Sequence, residues 1–581
     1  MFETFDIREV PLSLNSARAK VQTFLSEREL RYDEALEYYV GAFDGADNLV
    51  AGGGLAKGSI RCLAVSSLAE GEGLAAKIVS RLLSEAAGRG WTNVSLFTKP
   101  EHRKLFEGLG FFLLGQADKA ILLESDAQAH IAFQDNLRKL ARGNRVGAIV
   151  MHANPFTLGH LHLCDYVAKR VDTLFVLVLS SETSLFPTAE RLDMVRRGVA
   201  HLKNVQVIEA GRYAISSDTF PTYFLKELSQ ASKTEMQLDL DVFANIVAPA
   251  LNVNVRYVGS EPYDEMTATY NEIMEQVLPE KGIEVEEIER YGYDEPICAS
   301  YVRALLEEGG FIDCYDLVPR TTWPTLMAFL ATDALRKELS LTPKPGLIDQ
   351  SDNGSHNDMD YSLMQASLSA LHPYFLKIAH QGFSASLPTT EELKRIGLEA
   401  ENAMLRATGG INTHKGALFS LGLMLVAASH SYYINTRSNR TEVRTALSEM
   451  AKSLSQVSGT HGAEAIQRFG VRGALLEASS GYEHLFEEWL PYYFKSTSEF
   501  PLHRLLLKII SQLDDTNILY RGGIEALDFA KQASSHALEL PDECLMAELE
   551  NLNKRFKEKH ISPGGAADML ALTIFAASLG I

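Results

Sequence analysis

The apolar pattern of this chain changes character once, and the change limits the folds open to it. Up to about residue 335, short β-branched runs alternate with stretches of helical period. Residues 146–151, 173–179, 205–208 and 255–258 are such runs, each followed by a turn and a helical pattern. Beyond that point no strand-like run survives. Leu393, Ile396, Ala400, Ala403 and Met404 mark one helix face, residues 417–428 read as a buried helix, and Val443, Leu447, Met450 and Leu454 mark another. Strands alternating with helices imply a parallel sheet. A helical block of this length implies an all-α domain with its own core. A length of 581 residues suits roughly three to five domains. The expected edges are at 140/141 and 335/336.

The most specific stretch is 145–163, RVGAIVMHANPFTLGHLHL. Asn154-Pro155 breaks the strand and Thr157-Leu158-Gly159-His160 opens a helix. Free backbone N–H groups and the helix dipole there favour a phosphate. His160 adds a side-chain donor, and Gly159 lets a nucleotide approach the backbone. Ligands of parallel sheets lie beyond the carboxyl ends of the strands. Ser180-Ser181-Glu182 and Gly259-Ser260-Glu261 also follow strands, so they are expected to converge with this turn. About 140 residues on, Ile297-Cys298-Ala299-Ser300-Tyr301-Val302-Arg303 places Ser300 as a helix N-cap and Arg303 in the first turn. Taken singly, each motif is also a βα turn or a capped surface helix; taken together they favour a phosphate site.

Residues 1–140 carry strands at 38–43, 49–52, 60–65 and 94–98. Gly71 and Gly73 precede a helix with Ile78, Leu82 and Leu83 on one face, and Glu70 and Glu72 flank these glycines. In the last block, four polar loops group carboxylates, Lys, Arg or His with glycines. They run through Lys344, Asp349, His356 and Asp358; through Asn412, His414 and Lys415; through Asp514 and Arg521; and through Gly564, Gly565 and Asp568. Lys344, Lys415 and Arg521 suit phosphates, and the aspartates suit Mg²⁺. Ordinary turn and capping chemistry accounts for any one loop, less readily for four.

A net charge of -20 argues against a general nucleic-acid or anionic-membrane surface. The five cysteines are scattered without a CxxC pair, which suggests a reducing cytoplasm. The N-terminal MFETFDIREV lacks the parts of a signal peptide. Apolar runs such as 417–428 fall short of the ~20 residues that span a bilayer. The expectation is a cytoplasmic protein with no membrane and no nucleic-acid partner.

Asn154 to His160 resembles the T/HxGH signature of the nucleotidyltransferase superfamily, and Ile297 to Arg303 its ISxTxxR motif, with Cys298 for Ser and Ser300 for Thr. Residues 1–140 resemble the GNAT acyltransferase fold. The Glu residues beside Gly71 and Gly73 favour a domain that docks a pantetheine-like arm, or is structural, over an acetyltransferase. A GNAT-like front joined to this transferase resembles the citrate lyase ligase family, as do Phe186 to Arg191, Arg256 to Glu261 and Thr269-Tyr270-Asn271. The last block resembles triphosphoribosyl-dephospho-CoA synthase. These resemblances imply a multidomain enzyme: GNAT-like α/β, Rossmann-like nucleotidyltransferase, then all-α. One half would acetylate the thiol of the citrate lyase acyl-carrier subunit from ATP and acetate. The other would join ATP to 3′-dephospho-CoA with release of adenine. They imply Asn154, Thr157, Gly159, His160, Ser300 and Arg303 around ATP in the first site. In the second they imply Lys344, Asn412, His414, Lys415, Arg521, Gly564 and Gly565 around the nucleotides. Asp349, His356, Asp358, Asp514 and Asp568 are implied as Mg²⁺ ligands or bases, with catalytic roles on His160, Arg303, Asp349, Asp358 and Asp514. Another small-molecule adenylyltransferase and a non-catalytic nucleotide or acyl-CoA sensor are the alternatives, and adenine release distinguishes both.

Overall fold

A computed structural model describes residues 5–181, 183–215, 220, 228–261, 264–289, 297–435, 439–454 and 474–581. The chain divides into two compact units, Met1–Ala299 and Ser300–Ile581.

The first unit holds two sheets. Strands β1 (Asp6–Glu9), β2 (Tyr38–Phe43), β3 (Leu49–Ala56), β4 (Ser59–Val65), β5 (Ser95–Thr98), β6 (Phe112–Gln116) and β7 (Ile121–Glu124) form a seven-stranded sheet in the order β1-β2-β3-β4-β5-β7-β6. All neighbours are antiparallel except β4 and β5, which pair in parallel only at Ser59 with Ser95 and Ile60 with Leu96. Helix Leu74–Gly88 buries Leu74, Ile78, Val79, Leu82 and Ala86, the single face expected of an amphipathic helix on a sheet. Its N-cap Gly73 and the preceding Gly71 both have positive φ, which a side chain would resist.

Strands β8 (Val146–Met151), β9 (Thr173–Val178), β10 (Val205–Glu209), β11 (Val255–Gly259) and β12 (Glu284–Ile288) form the second sheet, all parallel, in the order β10-β9-β8-β11-β12. The central strand β8 and its neighbour β9 are nearly all buried, and their sequences are continuous apolar runs for that reason. The chain reverses its winding direction at β8, so the crevice beyond this strand is the topological switch point where such sheets bind ligands. The two sheets share one core, in which Phe97 and Leu122 join Ala148, Phe175, Leu240 and Val242. Polar contacts cross between them: Gln116 N–H donates to Asp241 Oδ2 at 2.8 Å and Tyr213 O–H to Glu124 Oε2 at 3.2 Å.

The second unit is helical throughout its described residues. Helix Lys415–Asn435 packs against Trp323–Ser340, Tyr361–Gly382, Thr390–Ala407, Arg440–Leu454 and Gly564–Ser578. It is 21 residues long and apolar enough to cross a membrane by length and composition, and 78% of its apolar window is buried inside the unit. The run visible in the sequence therefore understated the helix, which continues through polar residues at both ends. The expected edge at 335/336 falls inside helix Trp323–Ser340, whose first turn carries Pro324. Segment 311–323 belongs to the same core. Tyr315 lies 4.8 Å from Trp323 and 5.0 Å from Tyr432, and Phe311 lies 5.7 Å from Tyr432, ring centre to ring centre.

Candidate active sites

In the first unit the turn after β8 is built by side chains that hold its backbone. Arg191 is fully buried. Its Nη1 donates to the carbonyls of His152 and Leu179, both at 2.7 Å, its Nε to Phe186 O at 3.0 Å, and its Nη2 to Thr188 Oγ1 at 2.9 Å. One guanidinium thereby ties the loops that follow β8 and β9. Asn154 Oδ1 accepts the Phe186 N–H at 3.1 Å, so this oxygen, expected at the nucleotide, joins the same two loops. Glu182 lies outside the described residues.

Thr157 caps helix Leu158–Ala168, and its capping box is completed by His160 in place of the usual Glu. Thr157 N–H donates to His160 Nδ1 at 3.0 Å, and Thr157 Oγ1 lies 2.9 Å from the same nitrogen. Nδ1 is thus an acceptor, and the ring proton sits on Nε2. The ring stacks on buried Phe156 at 5.7 Å. A Cβ on Gly159 would stand 2.9 Å from the Ile297 carbonyl, so glycine here admits the backbone of the second motif. That motif continues into helix Ala299–Glu308, where Val302 and Leu306 are buried and Arg303, the fifth residue and so past the first turn expected for it, is half-buried. Ser300 is exposed and lies one residue inside this helix, not at its cap. Ser300 and Arg303 belong to the second compact unit.

The four polar loops of the second unit do come together. Ser562 Oγ lies 2.8 Å from His356 Nε2, Ser355 Oγ donates to Ile561 O at 2.6 Å, and Arg521 Nη1 donates to Ser355 O at 3.2 Å. Asp568 packs its carboxylate against Gly416, where a Cβ has no room, and accepts the Ala417 N–H. Burial, then Glu338 and Asp515, hold the Asp568 carboxyl well above the usual carboxylate range. Burial, with Arg521 nearby, lowers His356.

Several residues have surroundings different from those the sequence suggested. Lys344, expected at a phosphate, is buried, and its ammonium is paired with buried Glu338 at 2.5 Å. Asp349 is buried and shapes its own loop. Its Oδ2 accepts Lys344 N–H at 2.9 Å, and its Oδ1 accepts Ser351 N–H at 2.8 Å, Ser351 Oγ–H at 2.9 Å and Asp352 N–H at 2.9 Å. Asp514 is ion-paired with Lys531 at 2.5 Å. Asp358 is exposed, 3.9 Å from His356. Lys415 is half-exposed and paired with Glu401 at 2.6 Å, with its N–H on Asn412 Oδ1 at 3.3 Å.

Gly564 and Gly565 make room for the side chains of Asn517 and Asp515: a Cβ would stand 2.8 Å from Asn517 Nδ2 and 3.0 Å from Asp515 Oδ2, respectively. Buried Asp515 caps two helices, taking Asn517 N–H at 2.8 Å and Ile518 N–H at 3.3 Å on Oδ1 and Ala566 N–H at 2.9 Å on Oδ2. The sequence offered Asp514 and missed Asp515, although an Asp directly before a helix is a capping signal. Among the described residues, no group of three or more His, Cys, Asp or Glu side chains could hold a metal ion. Asp349, His356, Asp358, Asp514 and Asp568 form no such group.

Comparison with known proteins finds relatives for both halves of the chain. A family model described as the citrate lyase ligase C-terminal domain matches residues 146–326. A second, ATP:dephospho-CoA triphosphoribosyl transferase, matches residues 324–580. The citrate (pro-3S)-lyase ligase of Escherichia coli (strain K12) is 36% identical over 330 residues, 55% of this chain and 94% of that protein. A 2-(5''-triphosphoribosyl)-3'-dephosphocoenzyme-A synthase of Pectobacterium atrosepticum is 35% identical over 259 residues, 41% of this chain and 84% of that protein. The chain belongs to both families. It is a citrate lyase ligase fused to a triphosphoribosyl-dephospho-CoA synthase, an enzyme with a ligase half and a transferase half. A solved structure described as an acyl-CoA N-acyltransferase of Klebsiella pneumoniae aligns at 12% identity and a TM-score of 0.18, over 21% of this chain and 96% of that one.

Proposed function

We propose that this chain matures citrate lyase through two ATP-dependent reactions at separate sites. The observation that carries the reading is that one chain spans nearly the whole length of a ligase and of a synthase. In the ligase half, an acetate oxygen attacks the α-phosphorus of ATP and pyrophosphate leaves. A thiol on the lyase's acyl-carrier subunit then takes the acetyl group, and AMP leaves. His160 donates its Nε2–H to the phosphates, with the N–H groups at the start of helix Leu158–Ala168 beside it, a site of positioning and charge stabilisation. Arg191 and Asn154 support it by fixing the loop.

In the synthase half, the 2′-hydroxyl of 3′-dephospho-CoA displaces adenine from C1′ of ATP, giving 2′-(5″-triphosphoribosyl)-3′-dephospho-CoA. Exposed Asn412, Lys415 and Arg521 meet the substrates, with His356 and the buried Asp568 carboxyl beside them. Buried Lys344, Asp349 and Asp515 set the loops. Mg²⁺ in either reaction is carried by the nucleotide phosphates, its usual ligands in such sites. Residues 1–140 are the GNAT-like module, and the cytoplasm is the expected compartment. The test is to incubate the intact chain with ATP and dephospho-CoA, and separately with ATP, acetate and deacetylated citrate lyase. Adenine in the first and acetate-dependent pyrophosphate in the second are expected. Pyrophosphate without any adenine would leave only the ligase half of this reading.

A further inference from the structure

His414 directly precedes helix Lys415–Asn435, and its ring is 3% exposed. Its Nδ1 lies 2.7 Å from Ser367 Oγ, and Thr413 Oγ1 donates to that same oxygen at 2.6 Å. Ser367 is completely buried in the middle of helix Tyr361–Gly382. With Thr413 donating to it, Ser367 keeps its own hydrogen, and the ring nitrogen is the acceptor beside it. In that arrangement Nδ1 carries the lone pair and Nε2 the proton. Nε2 itself is buried and has no hydrogen-bond partner. An orphan buried polar atom is costly, and native structures keep few of them. This one stands at the N-terminus of a 21-residue helix, where the dipole favours a negative oxygen. The residue's backbone is fixed as well: His414 N–H donates to Met404 Sδ at 3.4 Å, and His414 O accepts the Leu418 N–H at 2.8 Å.

We propose that Ser367 is a positioning residue that sets His414 as a neutral Nε2–H donor to an oxygen of the nucleoside triphosphate in the synthase half. The assignment rests on the function proposed above for that half. Burial, with Lys344 close by, holds the imidazole down to about 4, so the ring is neutral at physiological pH. A neutral donor needs its tautomer fixed, and a ring whose Nδ1 lost its partner would also populate the form with a lone pair facing the phosphate. The hydroxyl chain from Thr413 through Ser367 removes that form. The same device appears in the ligase half, where Thr157 N–H fixes His160 Nδ1.

The test uses the full chain and three variants, Ser367→Ala, Ser367→Thr and His414→Gln. Nitrogen-15 spectra of histidine-labelled protein, with His414 assigned from His414→Gln, read the tautomer. Adenine release from ATP and dephospho-CoA reads kcat and KM. Expected are an Nε2–H tautomer in the wild type, a mixture in Ser367→Ala, and a loss of kcat/KM of about tenfold, the scale of one hydrogen bond. Ser367→Thr should restore the tautomer and most of the rate. An Nδ1–H tautomer in the wild type, wild-type kinetics in Ser367→Ala, or a slow Ser367→Ala whose tautomer is unchanged would each overturn the assignment. No adenine release by the wild type would instead overturn the proposed synthase activity, and this role with it.

Discussion

The boundary between the ligase and synthase halves has a stability consequence that can be worked out from burial. A fragment starting at Leu330 begins inside helix Trp323–Ser340 and lacks Phe311, Val318, Trp323, Leu326 and Met327, all buried in the second unit. Each such side chain contributes about 1.5–3 kcal/mol when buried, so five contribute about 8 kcal/mol or more. A domain is stable by about 5–15 kcal/mol in total. The Leu330 fragment should therefore be largely unfolded or aggregated at 25 °C. A fragment starting at Ser300 keeps the aromatic cluster of Phe311, Tyr315, Trp323 and Tyr432 and should melt cooperatively, with helical circular dichroism. It should also release adenine. Urea unfolding of both fragments, followed by circular dichroism, decides it. Equal midpoints would show that segment 300–329 contributes nothing to the helical core, and the burial argument would be wrong.

His160→Ala should lower acetate-dependent pyrophosphate formation about 100-fold, the scale of one lost transition-state donor, while adenine release persists; an unchanged ligase rate would remove His160 from the ATP site. Burial pushes the Asp515 carboxyl up to about 6 from 3.8. Its folded value lies above the unfolded one, so its contribution is fully present below the unfolded value and is lost as pH rises through the folded one. The stability of the wild type relative to Asp515→Asn should accordingly fall by about 3 kcal/mol between those pH values, and a pH-independent difference in urea unfolding would contradict it.

The interior of the fold was the legible part. Strands β8 and β9 are buried on both faces, so their sequences are apolar throughout and easily read. Strand β12, EVEEI, is an edge with three glutamates and left no strand signal. Strand β3 was expected to stop at Gly52 because Gly52-Gly53-Gly54 reads as a break, yet it continues to Ala56. A Cβ on Gly52 would collide with the Tyr39 ring and one on Gly53 with Leu63, so packing explains these glycines. The same holds at the sites. Sequence marked the loops that the structure gathers together, because charged residues beside glycines stand out in them. It could not tell which charges are turned inward. Lys344 is matched by Glu338 from the preceding helix, and Asp349 by its own loop. Ser367 lies mid-helix with no local pattern to distinguish it from a core serine.

One chain carries both a ligase and a synthase, and adenine is the product that neither another adenylyltransferase nor a nucleotide sensor would release. The direct measurement is adenine formed by the intact chain from ATP in the presence of 3′-dephospho-CoA, against the triphosphoribosyl product formed. One adenine per product, with none formed when dephospho-CoA is omitted, is the predicted result. Pyrophosphate or AMP in place of adenine would contradict it.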